Sequence, residues 1–335
     1  VRSDIAADVN IDFGDAHDWL SPTRAWRLTE CAASVGPVVN KPITSVGSAP
    51  NAGTVAHRAV QLWIDAAGYR NGNPQSRLSE AINEALAEFS GRPTGEWPPT
   101  RARLLARASQ LAERLLWGDD VHAERELLDP IRRLRGTPDI VLMKPREAVV
   151  IDLKTPTSKD DSLQPWIIFQ LTIYAHLVEQ VHGILPAQVE VFRLNRGFLP
   201  LSMNSTSVEA ALETVERARE ADASVATPAP ATCRYCRRRL DCQAHWDAAV
   251  CWPDTDCVEG TIERVERAAN GIAAVFLASS LGSRWVSGVP GDLVTADVGE
   301  RIRLVRLRRS DSNDDSAFKW SRRSALAVLP LAIPV

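Results

Sequence analysis

The sequence predicts an α/β protein followed by a small β-module, and three observations carry the prediction. Apolar residues recur at helical spacing through the first third of the chain. Between Val121 and Asn195, β-branched runs alternate with turn residues around one long helical segment. Beyond Pro253, short strands are punctuated by glycine. At 335 residues there is room for one large domain and one small one, since single cores stop growing at ~250 residues. The expected division is 1–250, then 256–310 for the β-module, then a tail over 311–335.

In chain order, a short helix is expected over 21–31, with Ser21 as its cap and Pro22 in its first turn. From Thr54 the apolar positions Val55, Ala59, Val60, Leu62, Trp63 and Ala67 mark an amphipathic helix that stops near Gly68. Two more helices are expected at 77–90 and 99–117, separated by the proline-rich GRPTGEWPPT. Strands follow at 122–128, 133–143 and 147–154, then a helix over 160–182 and strands at 187–195 and 198–203. A helix at 207–222 leads through ATPAPAT to CRYCRRRLDC. The polar run SDSNDDS and the apolar end ALAVLPLAIPV carry no pattern that assigns them a structure.

Hydrophobic residues at 45% and charged residues at 24% are those of an ordinary globular protein. No apolar run approaches the ~18 residues of a membrane span, and VRSDIAADVN lacks the basic and apolar regions of a secretory signal, so no membrane partner and a cytoplasmic location are expected. The net charge of -3 does not by itself announce a polyanionic partner. Local clusters do: Arg132, Arg133 and Arg135; Arg237 to Arg239; and the arginines from Arg301 to Arg309.

The segment LRGTPDIVLMKPREAVVIDLKT reads as two strands joined by a turn, each with an acidic residue near one end. Asp152 and Lys154 are two apart, so strand alternation puts both on one face while Leu153 points into the core. Phosphodiester hydrolysis needs a divalent ion, and carboxylates such as Asp139 and Asp152 suit hard Mg²⁺ or Mn²⁺. A lysine beside such an ion orients or helps deprotonate the attacking water, or stabilises charge on the phosphate. Alone, the D-x-K triplet better suits an exposed ion pair at a strand end, with Asp139 as a turn residue, since short motifs recur by chance.

The wider pattern decides between them. Gly136 to Asp139 as G-x-x-D, Asp152 to Lys154 as D-x-K, and Gln170 to Tyr174 as Q-x-x-x-Y together resemble the RecB-like branch of the PD-(D/E)XK nucleases. The resemblance implies a restriction-endonuclease-like core, a central mixed sheet flanked by helices. It also implies Mg²⁺- or Mn²⁺-dependent cleavage of DNA, with Asp139, Asp152, Lys154, Glu124, Gln170 and Tyr174 as catalytic residues. Gln170 and Tyr174, four apart, share one helix face. The family's G-x-x-x-H is matched by Gly53 to His57, which makes His57 a further metal ligand beside Asp139 and Asp152, and an imidazole there favours Mn²⁺. The glutamate expected ahead of G-x-x-D has two candidates in AERELL, Glu124 and Glu126, of which Glu124 is preferred.

Six cysteines in a reduced chain point to metal binding before disulfides. Cys233, Cys236 and Cys242 form C-x2-C-x5-C, one thiolate short of a closed site. Iron–sulfur nucleases similar to AddB and to the CRISPR adaptation nuclease have one cysteine before the nuclease core and three after it at this spacing. That resemblance assigns a [4Fe-4S] cluster to Cys31, Cys233, Cys236 and Cys242, a staple closing a loop of about two hundred residues. The alternative is a structural zinc site with Cys251, Cys257 or His245 as fourth ligand.

The glycine-punctuated segment 256–310 reads as an OB-like β-barrel, a fold that commonly binds single-stranded nucleic acid, with Trp285 able to stack on a base. A barrel that only packs on the nuclease domain is the other reading. The expected activity is exonucleolytic cleavage of single-stranded DNA ends or flaps in repair, recombination or phage- or CRISPR-type DNA processing, with a helicase or recombination protein as the candidate partner. The rival is an inactive subunit that only holds DNA ends within a helicase–nuclease complex.

Overall fold

The computed structural model describes residues 19–39, 42–43, 51–89, 96–155, 162–252, 255–310 and 316–329. Contacts divide the chain into two compact units: one of 1–26, 52–88 and 95–212, the other of 27–51, 89–94 and 213–335. Helix α1 (Pro22–Glu30) runs across the division.

In the first unit, helices α2 (Ala52–Asp65), α3 (Pro74–Glu88), α4 (Trp97–Ala106) and α5 (Ala108–Leu115) precede the strands. Helix α2 buries Val55, Ala59, Val60 and Trp63 and packs against α3 and α4. The single helix expected over 99–117 is interrupted at Arg107, whose φ of -100° and ψ of 1° leave the helical region. The strands are β1 (Asp120–Ala123), β2 (Leu127–Asp129), β3 (Leu134–Gly136), β4 (Ile140–Lys144) and β5 (Glu147–Lys154). After α6 (Pro165–His182) come β6 (Gln188–Arg193) and β7 (Gly197–Ser202).

The order β1-β4-β5-β6-β7 makes a mixed sheet, with β5 and β6 parallel and the other neighbours antiparallel. The parallel pair is joined through α6, the kind of crossover that parallel strands need. Strand β5 is buried at six consecutive positions, Ala148 to Leu153, as a central strand covered on both faces should be. Helix α6 starts with Pro165 in its first turn and stops at Gly183, a left-handed residue with φ of 70°.

Two expected strands are each broken in two. Between β1 and β2 lies Glu124, left-handed at φ 48°. Between β3 and β4 lies Pro138, which has no N–H for a ladder, and β3 pairs with β2 in a separate hairpin while β4 joins the main sheet. Gly136 ends β3 for a packing reason. A Cβ there would lie 2.8 Å from Tyr174 Cε1 and 2.9 Å from Leu177 Cδ1, so only glycine lets α6 come this close.

In the second unit, Ala32–Val35 forms a single 3₁₀ turn, and α7 (Ser205–Glu220) enters from the first unit. Short helices α8 (Pro230–Arg234) and α9 (Gln243–Ala249) then lead to strands β8 (Val258–Arg267), β9 (Ile272–Ser279), β10 (Gly282–Pro290), β11 (Arg301–Val305), β12 (Arg308–Arg309), β13 (Ala317–Lys319) and β14 (Ala325–Val328). Their order is β12-β13-β10-β9-β8-β11-β14, so among the described residues the ladders run from one edge to the other without closing a ring. Strands β13 and β14 come from the stretch to which the sequence pattern assigns nothing. Val275, Leu277, Val286, Ile302, Leu304 and Phe318 fill this sheet's core. Among the described residues no helix is long and apolar enough to cross a membrane.

Candidate functional site

The first unit's chemistry is gathered where β4 and β5 meet. The antiparallel register pairs Ile140 with Ile151, which sets Asp139, one residue before, alongside Asp152, one residue after. Asp139 Oδ2 accepts the backbone N–H of Leu153 at 2.5 Å. Its Oδ1 lies 3.0 Å from His57 Nδ1, which is also 3.4 Å from Glu124 Oε1. His57 is in the second turn of α2, and Glu124 is placed by its own backbone N–H, which donates to the Asp139 carbonyl at 3.1 Å. Among the described residues, His57, Glu124 and Asp139 are the one set of three or more histidine, cysteine or carboxylate groups with ligand atoms within 4.8 Å of one another. Of the two glutamates in AERELL, Glu124 is the one beside His57, and Glu126 is exposed.

Asp152 stands just outside that set and is 2% exposed. Lys154 Nζ donates to its Oδ1 at 3.0 Å and approaches Oδ2 to 2.8 Å, but off the hydrogen-bonding direction, so Oδ2 is buried with no hydrogen-bond donor. The Lys154 ammonium thus offsets the carboxylate's charge while leaving lone pairs on Oδ2 open to a further partner. Leu153, between them, is buried in the core as strand alternation requires.

The electrostatics agree with a site built for positive charge. Burial lowers the His57 pKa, but the hydrogen bonds to Asp139 and Glu124 outweigh it and raise the pKa to about 10. Burial raises that of Asp152 to about 6, with Lys154 opposing and Asp139 adding to the rise. Carboxylate oxygens with one imidazole are a donor set that fits Mg²⁺ or Mn²⁺, the imidazole tilting it toward Mn²⁺.

Gln170 and Tyr174 lie on α6 as the four-residue spacing implies, with Gln170 Nε2 donating to Tyr174 Oη at 3.1 Å. Burial drives the Tyr174 phenol above its usual range, and the charges of Asp152, Asp139 and Glu124 add to that. Two features escape the motif reading. Trp166, 40% exposed in the first turn of α6, has Lys154 Nζ 5.4 Å from its ring centroid; Pro165 just before it, marking the helix start, is the only local signal. His176 Nε2 and Asp129 Oδ2 form a buried pair at 2.7 Å that fastens α6 to the β2–β3 hairpin.

In the second unit, Cys31, Cys233, Cys236 and Cys242 line one pocket, together with Arg238, Arg239 and His245. No three of their sulfurs lie within 4.8 Å of one another. Burial pushes the Cys233 thiol up to about 11 and raises that of Cys236, and Cys236 also feels Cys242 and Cys31. The backbone N–H of Thr227 donates to Cys31 Sγ at 3.4 Å. Of the other possible ligands, Cys251 is exposed, and buried Cys257 contacts Thr255 Oγ1 at 3.0 Å. His245 is fully buried, and burial, reinforced by Arg239, holds its pKa down to about 3.

Among the solved structures similar to parts of this chain are the following three. The tetrameric p202 HIN2 is 18% identical, with 25% of this chain and 48% of that one covered at a TM-score of 0.21, so this chain spans about half its length. SSO0001 is 15% identical, with 66% and 93% covered at 0.28. A murine DNA-binding protein bound with double-stranded DNA is 12% identical, with 58% and 86% covered at 0.21. At such scores none of them carries weight for the fold. No curated protein matches. The model of the PD-(D/E)XK nuclease superfamily matches residues 20–243, which holds every residue of the carboxylate site and all four pocket cysteines. With more than half of its length matched, and with the mixed sheet and the acidic site that the motifs require, this chain belongs to the PD-(D/E)XK nuclease superfamily.

Proposed function

We propose that this chain is a Mg²⁺- or Mn²⁺-dependent deoxyribonuclease that acts exonucleolytically on single-stranded DNA ends or flaps. The observation that carries it is the set His57, Glu124 and Asp139 beside the buried, incompletely satisfied carboxylate of Asp152 and the amine of Lys154. His57, Asp139 and Asp152, with Glu124, would hold the cation. When bound, the ion supplies charge neutralisation for the phosphate and a more acidic water. Lys154 Nζ, fixed by Asp152, holds a cationic donor at that same place, where it orients the attacking water and meets charge developing on the phosphate. Gln170 and Tyr174 border the site from α6 and offer polar contacts to the DNA backbone.

Single-stranded substrate is supported by the second unit's sheet. Arg264 on β8, Phe276 on β9 and Trp285 on β10 are cross-strand neighbours in one row. The two rings stack with centroids 6.2 Å apart and planes 15° apart, and the Arg264 guanidinium lies 4.1 Å from the Phe276 centroid. An arginine beside a stacked aromatic pair is what an OB-like module uses to bind bases without reading sequence. A [4Fe-4S] cluster on Cys31, Cys233, Cys236 and Cys242 is supported by the common pocket of these four residues. Repair, recombination or phage- or CRISPR-type DNA processing in the cytoplasm, with a helicase as partner, accords with the RecB-like motif order.

The test is digestion of 5′- and 3′-labelled single strands, duplexes and flaps with each metal. Metal-dependent release of short products from single-stranded ends, abolished by Asp152→Ala, is the expected result. Tight DNA binding without cleavage under either metal would overturn it in favour of an end-holding subunit.

A further inference from the structure

The ring of His245 lines the cysteine pocket and has no exposed surface. Its Nε2 accepts the Nε–H of Arg239 at 3.0 Å, and since arginine offers only donors, Nε2 must be the bare nitrogen. The ring's proton is therefore on Nδ1. That Nδ1 has no hydrogen-bond partner, and neither have Arg238 Nε and Arg239 Nη1, whose side chains line the same pocket. Arg239 also reaches the Cys257 thiol, but His245 Nδ1 and Arg238 Nε remain buried donors without an acceptor beside four thiols. The surrounding charge points the same way: Asp256 pairs with Arg239, while Arg27 and Arg306 lie within electrostatic reach of each other and of Cys236, and Arg306 within reach of Arg239. An iron–sulfur cluster on four thiolates is an anion rimmed with sulfur acceptors.

Building on the cluster reading above, we propose that His245 Nδ1–H, aided by Arg238 and Arg239, donates a hydrogen bond to a sulfur of the cluster held by Cys31, Cys233, Cys236 and Cys242, and thereby sets its reduction potential. His245 is a positioning and tuning residue, with no thiolate role of its own. Donation to sulfur stabilises the more negative, reduced state and raises the potential.

The experiment is a spectroelectrochemical titration of the anaerobically purified full chain, with iron and sulfide assayed alongside. His245→Phe fills the same space without the donor, and His245→Asn returns an amide N–H near the position of Nδ1. The expected result is unchanged iron content, a potential shifted negative in the Phe variant, and recovery toward the native value in the Asn variant. Equal potentials at equal iron content overturn the proposal alone. A colourless native protein with stoichiometric zinc overturns the cluster and the proposal together. Should the Phe variant not fold, electron–nuclear double resonance on the reduced native protein, labelled with ¹⁵N-histidine, reads the same contact: a histidine nitrogen coupling supports it, and its absence overturns it.

Discussion

Asp139 and Leu153 are tied by a 2.5 Å hydrogen bond from the Leu153 backbone N–H to Asp139 Oδ2, which locks the acidic end of β4 onto the residue between Asp152 and Lys154. This one contact joins the two halves of the nuclease motif. It also turns Asp139 Oδ1 toward His57, 3.0 Å away, so the carboxylate serves as strand fastener on one oxygen and candidate ligand on the other.

The Asp152–Lys154 pair should therefore be separable from DNA binding. Asp152→Ala and Lys154→Met are each expected to lower the single-turnover cleavage rate by at least ~10²-fold, the scale of removing one charged group aimed at a transition state. Affinity for a labelled single strand should change little. Native-like cleavage by either variant would remove these residues from the chemistry.

His57 brings the one nitrogen to an otherwise carboxylate donor set. His57→Ala should weaken Mn²⁺ binding more than Mg²⁺ binding, because imidazole suits the transition metal while oxygen suits both. Calorimetric titration of each ion into the native and variant proteins measures the difference. Equal losses for the two ions would argue that the imidazole is not a ligand.

Gly136 is required by packing against Tyr174 and Leu177. Gly136→Ala should destabilise the first unit by about 1–3 kcal/mol, the usual cost of overpacking a tight contact. Urea unfolding followed by circular dichroism checks it. A variant as stable as the native protein would mean that α6 moves aside without cost.

The His176–Asp129 pair predicts an acid limb of stability. Burial pushes the Asp129 carboxyl up, but the Arg132 backbone N–H and His176 outweigh it and hold the pKa below the usual value. A depressed carboxylate contributes fully above its unfolded pKa of ~3.9 and loses that contribution as pH falls through the folded value. Thermal melts should thus drop steeply below about pH 4 in the native protein, and less steeply in Asp129→Asn. At neutral pH, His176→Leu should cost about 1–3 kcal/mol, because it removes one partner of a buried carboxylate that keeps the Ile131 and Arg132 backbone N–H groups and the Arg132 guanidinium.

Trp285 stacked on Phe276 should matter for DNA and not for hydrolysis itself. Trp285→Ala is expected to weaken single-strand binding by about 1–3 kcal/mol, the range for loss of one stacking ring. Fluorescence anisotropy at several salt concentrations reads this, and the salt slope should stay constant because no phosphate contact is lost. Undiminished affinity would assign the row a structural role.

Much of the site was legible because its residues are local. Asp152 and Lys154 share a face by the two-residue period of a strand, Gln170 and Tyr174 by the four-residue spacing of a helix, and α6 ends at the glycine where its pattern stops. The expected strands at 122–128 and 133–143 were read as continuous because β-branched content does not reveal where pairing changes partner. The breaks came at left-handed Glu124 and at Pro138, between a hairpin and the main sheet. Strands β13 and β14 stayed hidden because three- and four-residue strands carry too few alternations to register a period.

By itself the sequence determined the element types as far as Ser310, the carboxylate–lysine face and the family, all of which follow from spacing along one or two strands and a helix. Only the tertiary structure decided that Glu124 and not Glu126 stands beside His57, that Gly136 makes room for Tyr174, and that His245 shares a pocket with four cysteines. Those relations join residues far apart in the chain, and what sets them is register between strands and close packing of side chains, which no local periodicity encodes.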